Sequence, residues 1–277
     1  MLVELHTHSH YSKGTQVPVE GLNSPEEMVW YAKKIGLGAI AITDHDEIKG
    51  TLQAMKYAKK YDMVVIPGEE VSTVSGHLLC IGVEKFIKPG MTVEETVDEV
   101  HDQDGIAIGD HPFDIKNAGI GELAAKTDVI EVFNAINMER ITNIRARKFA
   151  QMHKKPQVAG SDAHWTEMIG YGVNGIDAYD LDGILKAVGK GRVEVQGRYI
   201  PAAIIMRWAI TRLKLSYPHT LDYINNNYSW PKRVISRHML GLVKKSPGRI
   251  DYLLKSLGYF GLGSAVVYSV MKNTMKI

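Results

Sequence analysis

The chain has 277 residues, of which 45% are hydrophobic and 23% charged, a balance typical of folded globular proteins and not of disordered chains. The one cysteine, Cys80, excludes an intrachain disulfide and a cysteine-based zinc cluster, and it fits a reducing, cytoplasmic setting. The first residues contain no basic stretch followed by an apolar run, so no signal peptide is expected.

The net charge of +2 is divided unevenly along the chain. Residues 1–189 hold 18 Lys+Arg and 28 Asp+Glu, a balance of −10, whereas residues 190–277 hold 15 Lys+Arg and 3 Asp+Glu, a balance of +12. An acidic body followed by a basic segment indicates a polyanionic partner, either nucleic acid or a membrane surface.

Short β-rich runs alternate with helical runs along the first two thirds of the chain. Ser24 is a good N-cap and Pro25 suits the first helical position, so a helix is expected there, ending near Gly36. The apolar run at 39–43 is typical of a strand covered on both faces. Further strands are predicted at 2–5, 63–67, 77–83, 106–108, 129–133, 157–159 and 193–195, and further helices at 51–61, 92–101 and 180–189. This alternation predicts parallel βα units and therefore an α/β fold.

After Gly197 the pattern changes to short helices separated by prolines, predicted at 201–214, 221–224, 234–243 and 250–257. We therefore predict a boundary near residue 198, between a βα body at 1–197 and a basic, mostly helical C-terminal extension at 198–277. The apolar segment 257–271 has 15 residues, fewer than the roughly 20 that span a bilayer. A buried C-terminal helix is the preferred interpretation, and a helix that lies on an anionic membrane or pairs with another subunit is the alternative.

Metal-binding residue types stand at the ends of nearly all the predicted strands. In a parallel βα barrel, the carboxyl ends of the strands surround one opening. Side chains at positions i and i+2 of a strand point to the same face, so a His-x-His or Asp-x-His pair can face one ion. Imidazole and carboxylate groups suit Zn²⁺, Mn²⁺ or Fe²⁺. The candidates are His6, His8, His45, Glu69, Glu70, His77, His111, Asp162 and His164.

Each of these pieces is weak on its own. A lone His-x-His is seldom a ligand pair, and an isolated His77 is more often a hydrogen-bonded buried histidine. Five separate elements that each place such residues at a strand end make the joint prediction of a multinuclear metal site far stronger. A shared carboxylate such as Glu70 can bridge two ions.

The motifs at these positions resemble those of the PHP family, the polymerase and histidinol phosphatase superfamily. They are His6-Thr7-His8-Ser9, Thr43-Asp44-His45, Gly68-Glu69-Glu70, Gly76-His77-Leu78-Leu79, His111-Pro112 and Gly160-Ser161-Asp162-Ala163-His164. The resemblance covers the body to about residue 197 and implies a distorted (β/α)7 TIM-like barrel with two or three divalent ions at the strand ends. It implies three ligand sets: His6, His8, Glu70 and Asp162 for the first ion; Glu70, His77 and His111 for the second; His45 and His164 for the third.

Two positions stand out within this resemblance. Glu70 fits the family's Gly-x-Glu spacing and Glu69 does not, so Glu69 is expected to face solvent or to support a ligand. The third ion of the family usually has one more ligand, at a place that falls here on Lys13 and Gly14. Lys13 is cationic and a poor ligand at neutral pH. His10 is one substitute; alternatively, Lys13 contacts a substrate phosphate or is an ordinary surface lysine.

Other polar residues near the strand ends allow more than one interpretation. Asp44, Asp46 and Asp110 flank candidate histidines, and they either orient imidazoles or stabilise turns. Asn134 ends another predicted strand and is a candidate for lining the site.

The resemblance and the predicted ions together indicate hydrolysis of phosphate esters by water activated at divalent metals. The sequence contains no nucleophile elbow and no glycine-rich P-loop, so these two mechanisms are not supported. The candidate catalytic residues, as proton donors to the leaving group, are His10 and, if the third ion is absent, His45, with water as the alternative donor.

The sequence leaves several phosphorylated substrates open. The extension places Tyr228 and Trp230 beside Lys232 and Arg233, a composition that suits single-stranded nucleic acid, although packing within a helical cap explains it equally well. We predict a phosphatase or exonuclease that acts on nucleotides or nucleic-acid ends. The alternatives are a histidinol-phosphate-type phosphatase, and a non-catalytic metal-binding module that the basic region tethers to nucleic acid or membrane.

Overall fold

The computed structural model describes residues 1–116 and 118–274. Within them, nine strands are β1 Leu2–Glu4, β2 Ala39–Ile42, β3 Val64–Thr73, β4 Gly76–Ile81, β5 Ile106–Gly109, β6 Val129–Asn134, β7 Gln157–Gly160, β8 Gly172–Gly175 and β9 Glu194–Gly197. The α-helices among these residues are α1 Pro25–Lys34, α2 Lys49–Met55, α3 Ala58–Tyr61, α4 Val93–His101, α5 Ile141–Met152, α6 Leu181–Gly189, α7 Ala202–Leu215, α8 Tyr217–Asn227, α9 Lys232–Val243 and α10 Ile250–Thr274. Two short 3-10 helices lie at Gly121–Lys126 and Thr166–Met168.

The strands form one sheet in the order β7-β6-β5-β4-β3-β2-β1-β8-β9, with β1 to β3 and β5 to β7 parallel. The sheet curls so that β7, at one end, approaches β1, and Thr7 after β1 forms a parallel bridge with Ala163 after β7. The side chain of Asn174 in β8 strengthens this closure, donating to Ala159 O at 2.7 Å and accepting from Ala159 N at 2.9 Å. The sheet is therefore a nearly closed barrel, and the predicted distorted α/β barrel with a helical C-terminal extension is confirmed.

The prediction of uninterrupted parallel βα units is wrong at β4, which runs antiparallel to both of its neighbours. The turn between β3 and β4 requires Gly76, since its φ is +137° and an added Cβ would lie 2.6 Å from Ala118 O. Strand β8 pairs antiparallel with β1 and was not predicted, because two glycines and an asparagine are residues depleted in strands. The predicted helix at 51–61 is divided into α2 and α3.

Local sequence signals explain the helices that cover the barrel. Ser24 caps α1 by accepting from Glu27 N, while the Glu27 side chain accepts from Ser24 N, and Pro25 takes the first turn as predicted. The same reciprocal arrangement joins Thr92 and Glu95 at α4. The strands beneath are fully apolar on both faces over Ala39–Ile42 and Ile106–Gly109, so they form a core that fixes the positions of the loops at the strand ends.

The extension begins with a helix that packs on the barrel and ends with one that does not. Trp208 of α7 is buried, and its Nε1 donates to Glu20 O at 2.9 Å. By contrast, α10 is far longer than the predicted 250–257 and is mostly exposed, so the expectation of a buried C-terminal helix is wrong. Its part Ile250–Lys272 is long and apolar enough to cross a membrane, and only 6% of its apolar window is buried.

Candidate metal centre

All eight residues predicted as metal ligands lie together at one end of the barrel. His6 and His8 follow β1, Glu70 lies within β3, His77 lies at the amino end of the antiparallel β4, and the other four come from the loops after β2, β5 and β7. With Asp110, which was not predicted as a ligand, they form overlapping groups, in each of which the potential ligand atoms lie within 4.8 Å of one another; the members not yet named are His45, His111, Asp162 and His164. The long-range convergence that the sequence predicted is therefore present.

Glu70 lies at the centre of this cluster and is fully buried. Its Oε2 is 3.2 Å from His6 Nε2, 3.1 Å from His8 Nε2 and 3.2 Å from His45 Nδ1. A carboxylate oxygen has two lone pairs and accepts two hydrogen bonds well, whereas three imidazole nitrogens surround this one.

The second oxygen of Glu70 faces the opposite side of the cluster. Oε1 is 2.7 Å from His77 Nδ1 and 3.2 Å from His111 Nε2. One buried carboxylate thus contacts five imidazoles, which is the geometry of a carboxylate shared between cations.

Asp162 completes the side of the cluster that faces His6 and His8. Its Oδ1 is 3.2 Å from His8 Nε2 and 3.7 Å from His6 Nε2. The backbone φ of Asp162 is +52°, in the left-handed region that residues other than glycine rarely adopt, and His111 has φ +24°. Strain of this kind persists where the surrounding structure holds a side chain in place for function.

Two buried polar atoms at the site, His111 Nδ1 and Asp110 Oδ1, have no hydrogen-bond partner among the described residues. Three more, His8 Nε2, His77 Nδ1 and Asp110 Oδ2, form no well-oriented hydrogen bond there, although each lies within 3.2 Å of an ionisable neighbour. Burying such atoms unpaired is costly, because each loses its hydrogen bonds to water. Nitrogen and oxygen donors that converge without partners fit divalent cations.

The carboxylates and imidazoles of the site shift one another's pKa values. Burial alone would raise the pKa values of Glu70 and Asp162, but the neighbouring imidazoles hold both pKa values well below their usual range. Burial would likewise lower the pKa of His8, but its contacts with Asp162 and Glu70 raise that pKa to about 9. Burial does lower the pKa values of His45 and His164, to about 3 each, so both are neutral at neutral pH.

Buried polar residues that the sequence analysis did not single out orient the histidines. Glu131 Oε1 is 3.0 Å from His6 Nδ1, and Glu131 Oε2 accepts from His111 N at 2.9 Å. Asn134, a candidate for lining the site, donates from Nδ2 to Glu131 Oε2 at 3.0 Å and to Asp162 Oδ2 at 3.3 Å. A glutamate in the otherwise apolar run of β6 was the available signal for this role.

Ser12 holds the histidines on the other side of the cluster. Its Oγ is 3.0 Å from His8 Nδ1 and accepts from His45 N at 2.9 Å. A lone serine in a loop offers no sequence signal for this role, because only the fold brings the two loops together.

Glu20 supplies a carboxylate near the position that the sequence left incomplete. Its Oε2 is 3.6 Å from His45 Nε2, and its Oε1 is 3.1 Å from Arg212 Nη2 of α7. Lys13 is exposed, and His10 is exposed and packs on the ring of Tyr11 at 4.5 Å. The sequence analysis missed Glu20, which lies in an irregular segment and is held by a helix distant in the chain.

The acidic neighbours of the candidate ligands have distinct partners. Glu69 is buried, not solvent-facing, and its Oε1 accepts from Ile87 N at 2.6 Å, while burial raises its pKa to about 8. Asp44 accepts from Ser9, and Asp46 accepts from Ser72 N at 2.7 Å, so both stabilise loops. Of the three flanking aspartates, Asp110 contacts an imidazole, with Oδ2 3.0 Å from Nε2 of the adjacent histidine.

Comparison with known sequences places these residues in a family context. The family model of the PHP domain matches residues 4–157, more than half of the chain, and a PHP-associated family model matches residues 140–193. Two uncharacterized proteins of Methanocaldococcus jannaschii are 31% and 29% identical to this chain over 150 and 179 residues. The first alignment covers 52% of this chain and 87% of the relative, and the second covers 61% and 68%.

An error-prone DNA polymerase of Nocardia farcinica is similar to a shorter part of the chain. It is 42% identical over 69 residues, which are 25% of this chain and 6% of the polymerase. The chain therefore spans a small fraction of that relative.

Two solved structures share the fold at low sequence identity. One is a two-domain protein from Bacteroides vulgatus containing a predicted PHP-like metal-dependent phosphoesterase, with a TM-score of 0.56, 18% identity, and coverage of 72% of this chain and 65% of that chain. The other is PsfC from Pseudomonas syringae, with a TM-score of 0.54, 17% identity, and coverage of 77% of this chain and 98% of that chain. These two similarities concern the architecture of the barrel.

Proposed function

This chain belongs to the PHP family, and from that premise we propose that it is a metal-dependent hydrolase of phosphate esters. The observation that carries the proposal is the contact of one buried carboxylate, Glu70, with five imidazoles at the mouth of the barrel. The buried nitrogens and oxygens around it, several of which form no well-oriented hydrogen bond among the described residues, fit divalent cations.

Two or three divalent ions, Mn²⁺, Zn²⁺ or Fe²⁺, are the proposed cofactors. The proposed ligands are His6, His8, His45, Glu70, His77, His111, Asp162 and His164, and we add Glu20 beside His45. When bound, such ions lower the pKa of water and neutralise the oxygens of a phosphoryl group, which is the chemistry that ester hydrolysis needs.

The chain's own residues fix the positions of the ligand atoms and influence which histidines carry a proton. Glu131 orients His6, and Asn134 orients Asp162, so the ligand atoms are held before any substrate arrives. With a pKa of about 3, His45 offers a free nitrogen at neutral pH, which favours a ligand role over that of a proton donor. His10, which is exposed, is the other candidate donor to a leaving group.

Nucleotides or nucleic-acid ends are the substrates that we propose. The support is the 69-residue similarity to a DNA polymerase, together with the cationic extension that follows the barrel. A histidinol-phosphate-type phosphatase and a non-catalytic tethered module are the alternatives, and they make different predictions for the same assays.

The first test is hydrolysis of 4-nitrophenyl phosphate with added Mn²⁺. Asp162→Asn keeps the size of the side chain but removes a carboxylate ligand, and it should reduce the rate by more than about 100-fold. The matched control is Asp98→Asn, on the exposed surface of α4, which should leave the rate unchanged. Equal rates in wild type and Asp162→Asn would refute the role of this cluster in hydrolysis.

The substrate class is tested by comparing three phosphate esters under the same metal conditions. Cleavage of a single-stranded oligonucleotide or of a nucleoside 3′,5′-bisphosphate in preference to histidinol phosphate would support nucleotide-directed hydrolysis. Preference for histidinol phosphate would support the small-molecule alternative. Metal binding without hydrolysis of any of the three would favour the non-catalytic module.

A further inference from the structure

The last helix of the chain is apolar on all sides. Between Lys255 and Lys272, the 16 residues 256–271 include no charged side chain. A helix that is hydrophobic all round normally lies within a large core or within a membrane, because no face of it is suited to water.

This helix does not lie in a core. Only 6% of its apolar window is buried, and the exposed fractions of Tyr252, Phe260 and Val267 are 75%, 76% and 61%. Its described contacts are with α7, where Gly258 lies beside Met206, with α5, and at its far end, where Ser269 is buried and Lys272 Nζ donates to Asp114 O at 3.0 Å. Its position at the C-terminal end of the sequence also separates it from an N-terminal signal sequence.

Cations are concentrated just before this apolar surface. Lys244, Lys245 and Arg249 lie in the short connection between α9 and α10, all of them exposed, and Lys255 follows in the first turns of α10. Residues 190–277 together have 15 Lys+Arg against 3 Asp+Glu. Lysine and arginine next to an apolar helix are the pattern that anionic lipid surfaces attract, at about 1 kcal/mol for each cation near the surface.

Three occupants of this surface have different requirements. Nucleic acid would pair with the cations but would leave the aliphatic and aromatic surface of α10 in water. A second copy of the chain would cover the apolar surface but would bring an equally basic extension against this one. A bilayer of anionic phospholipid satisfies both the apolar helix and the cations beside it.

We propose that α10 is a membrane-attachment helix, with its apolar surface inserted in an anionic phospholipid bilayer and the cations of the α9–α10 connection at the headgroups. The 16 uncharged residues extend about 24 Å at 1.5 Å per residue. Gly258 lies beside Met206 and Lys272 Nζ donates to Asp114 O at 3.0 Å, so the helix stays against the body along its length and would lie in the bilayer surface, not across it. The inference is independent of the chemistry at the barrel mouth.

The test is flotation of the full chain with vesicles of phosphatidylcholine containing one quarter phosphatidylserine, compared with vesicles of phosphatidylcholine alone. Wild type should float with the anionic vesicles. Phe260→Asp and Val267→Asp should each weaken vesicle binding by at least about tenfold, because a carboxylate within an inserted helix is costly.

Control variants distinguish insertion of α10 into the bilayer from misfolding and from nonspecific hydrophobic binding to vesicles. Phe86→Asp changes an exposed phenylalanine on the barrel, 51% accessible, and should leave flotation unchanged. Phe260→Leu should retain it. Lys245→Gln with Arg249→Gln should reduce binding to the anionic vesicles severalfold and reduce its salt dependence, with little effect on neutral vesicles.

Three results would overturn the proposal. The first is a folded wild type that stays with the soluble fraction, and the second is flotation that Phe260→Asp does not change. The third is a concentration-dependent dimer, or an oligonucleotide complex, that accounts for the exposed helix while vesicles are not bound. Hydrolysis of 4-nitrophenyl phosphate by every variant reports on the barrel separately, so failure here and failure of the proposed hydrolase are distinguishable.

Discussion

The barrel mouth, where the predicted metal ligands lie, and the last helix of the extension differ in which side chains they bury. At the mouth, charged and polar side chains such as Glu70 and His6 are fully buried in a protein interior. In α10, large apolar side chains such as Phe260 are exposed to water. Both arrangements are costly for an isolated chain, and we propose that each is accounted for by what the chain binds, cations in one region and lipid in the other.

The two regions also differ in how their proposed functions depend on the sequence. The mouth is built by residues from many strand ends and depends on the fold, whereas α10 is one continuous segment that depends on composition. The helix between them, α7, belongs to the extension in sequence but to the mouth in space, since Arg212 contacts Glu20.

Among residues that are not themselves predicted ligands, the largest effect should come from Glu131, which orients the ligands from behind. Glu131→Gln keeps the side-chain shape but weakens its contacts with the ring of His6 and the backbone of His111, and it should lower metal affinity or activity by about 10–100-fold. Isothermal titration with Mn²⁺ measures this, with the exposed Glu99→Gln as control. An unchanged affinity would mean that the mouth does not need this support.

The pH dependence of metal affinity should distinguish the two halves of the mouth. Because the pKa of His8 is raised to about 9, this ring is protonated at neutral pH and must lose its proton to bind a metal. Affinity should therefore rise with pH from 6 to 9, by about tenfold per unit for each proton displaced, and the raised pKa values of His6, His77 and His111 add to this slope. His45 and His164, with pKa values of about 3, add no such dependence in this range.

The competing result for this titration is a flat profile. A metal affinity that does not change between pH 6 and 9 would mean that His8 is not a ligand, or that its proton is absent before the metal binds. The His8→Ala variant checks the assignment, since its remaining affinity should have a shallower slope.

The smallest effect should come from the link between the two regions. Arg212→Gln removes the charged contact with Glu20, and we expect a loss of up to about tenfold in hydrolysis, with flotation on anionic vesicles unchanged. If Glu20→Gln and Arg212→Gln together cost no more than either change alone, the two residues act as one unit. A loss of vesicle binding in Arg212→Gln would show that the barrel mouth and α10 do not function independently.

Much of the fold followed from local signals. The N-cap Ser24 with Pro25, and the apolar run that became β2, predicted a helix and a strand because each pattern has one favourable conformation. The hairpin from β3 to β4 and the closure of the barrel through Asn174 did not follow, since they depend on pairing between segments distant in the chain.

The residues of the site also divide into those that the sequence predicted and those that only the fold brings together. Its eight predicted ligand residues were found because histidine and carboxylate pairs at strand ends carry their spacing in the sequence, and their ligand roles stay a prediction. Glu20 and Ser12 were missed because their place beside His45 is set by loop packing. The expectation that Glu69 faces solvent was wrong, because its side chain is buried on the opposite face of β3 from Glu70.

The central claim is that Glu70 is a carboxylate shared by cations at the barrel mouth. It is tested most directly by the metal content of purified, dialysed wild type and of Glu70→Gln, measured by plasma mass spectrometry on protein with matched circular dichroism spectra. We predict about two to three equivalents of divalent metal in wild type and a loss of at least one in Glu70→Gln. The same metal content in both proteins would contradict the account.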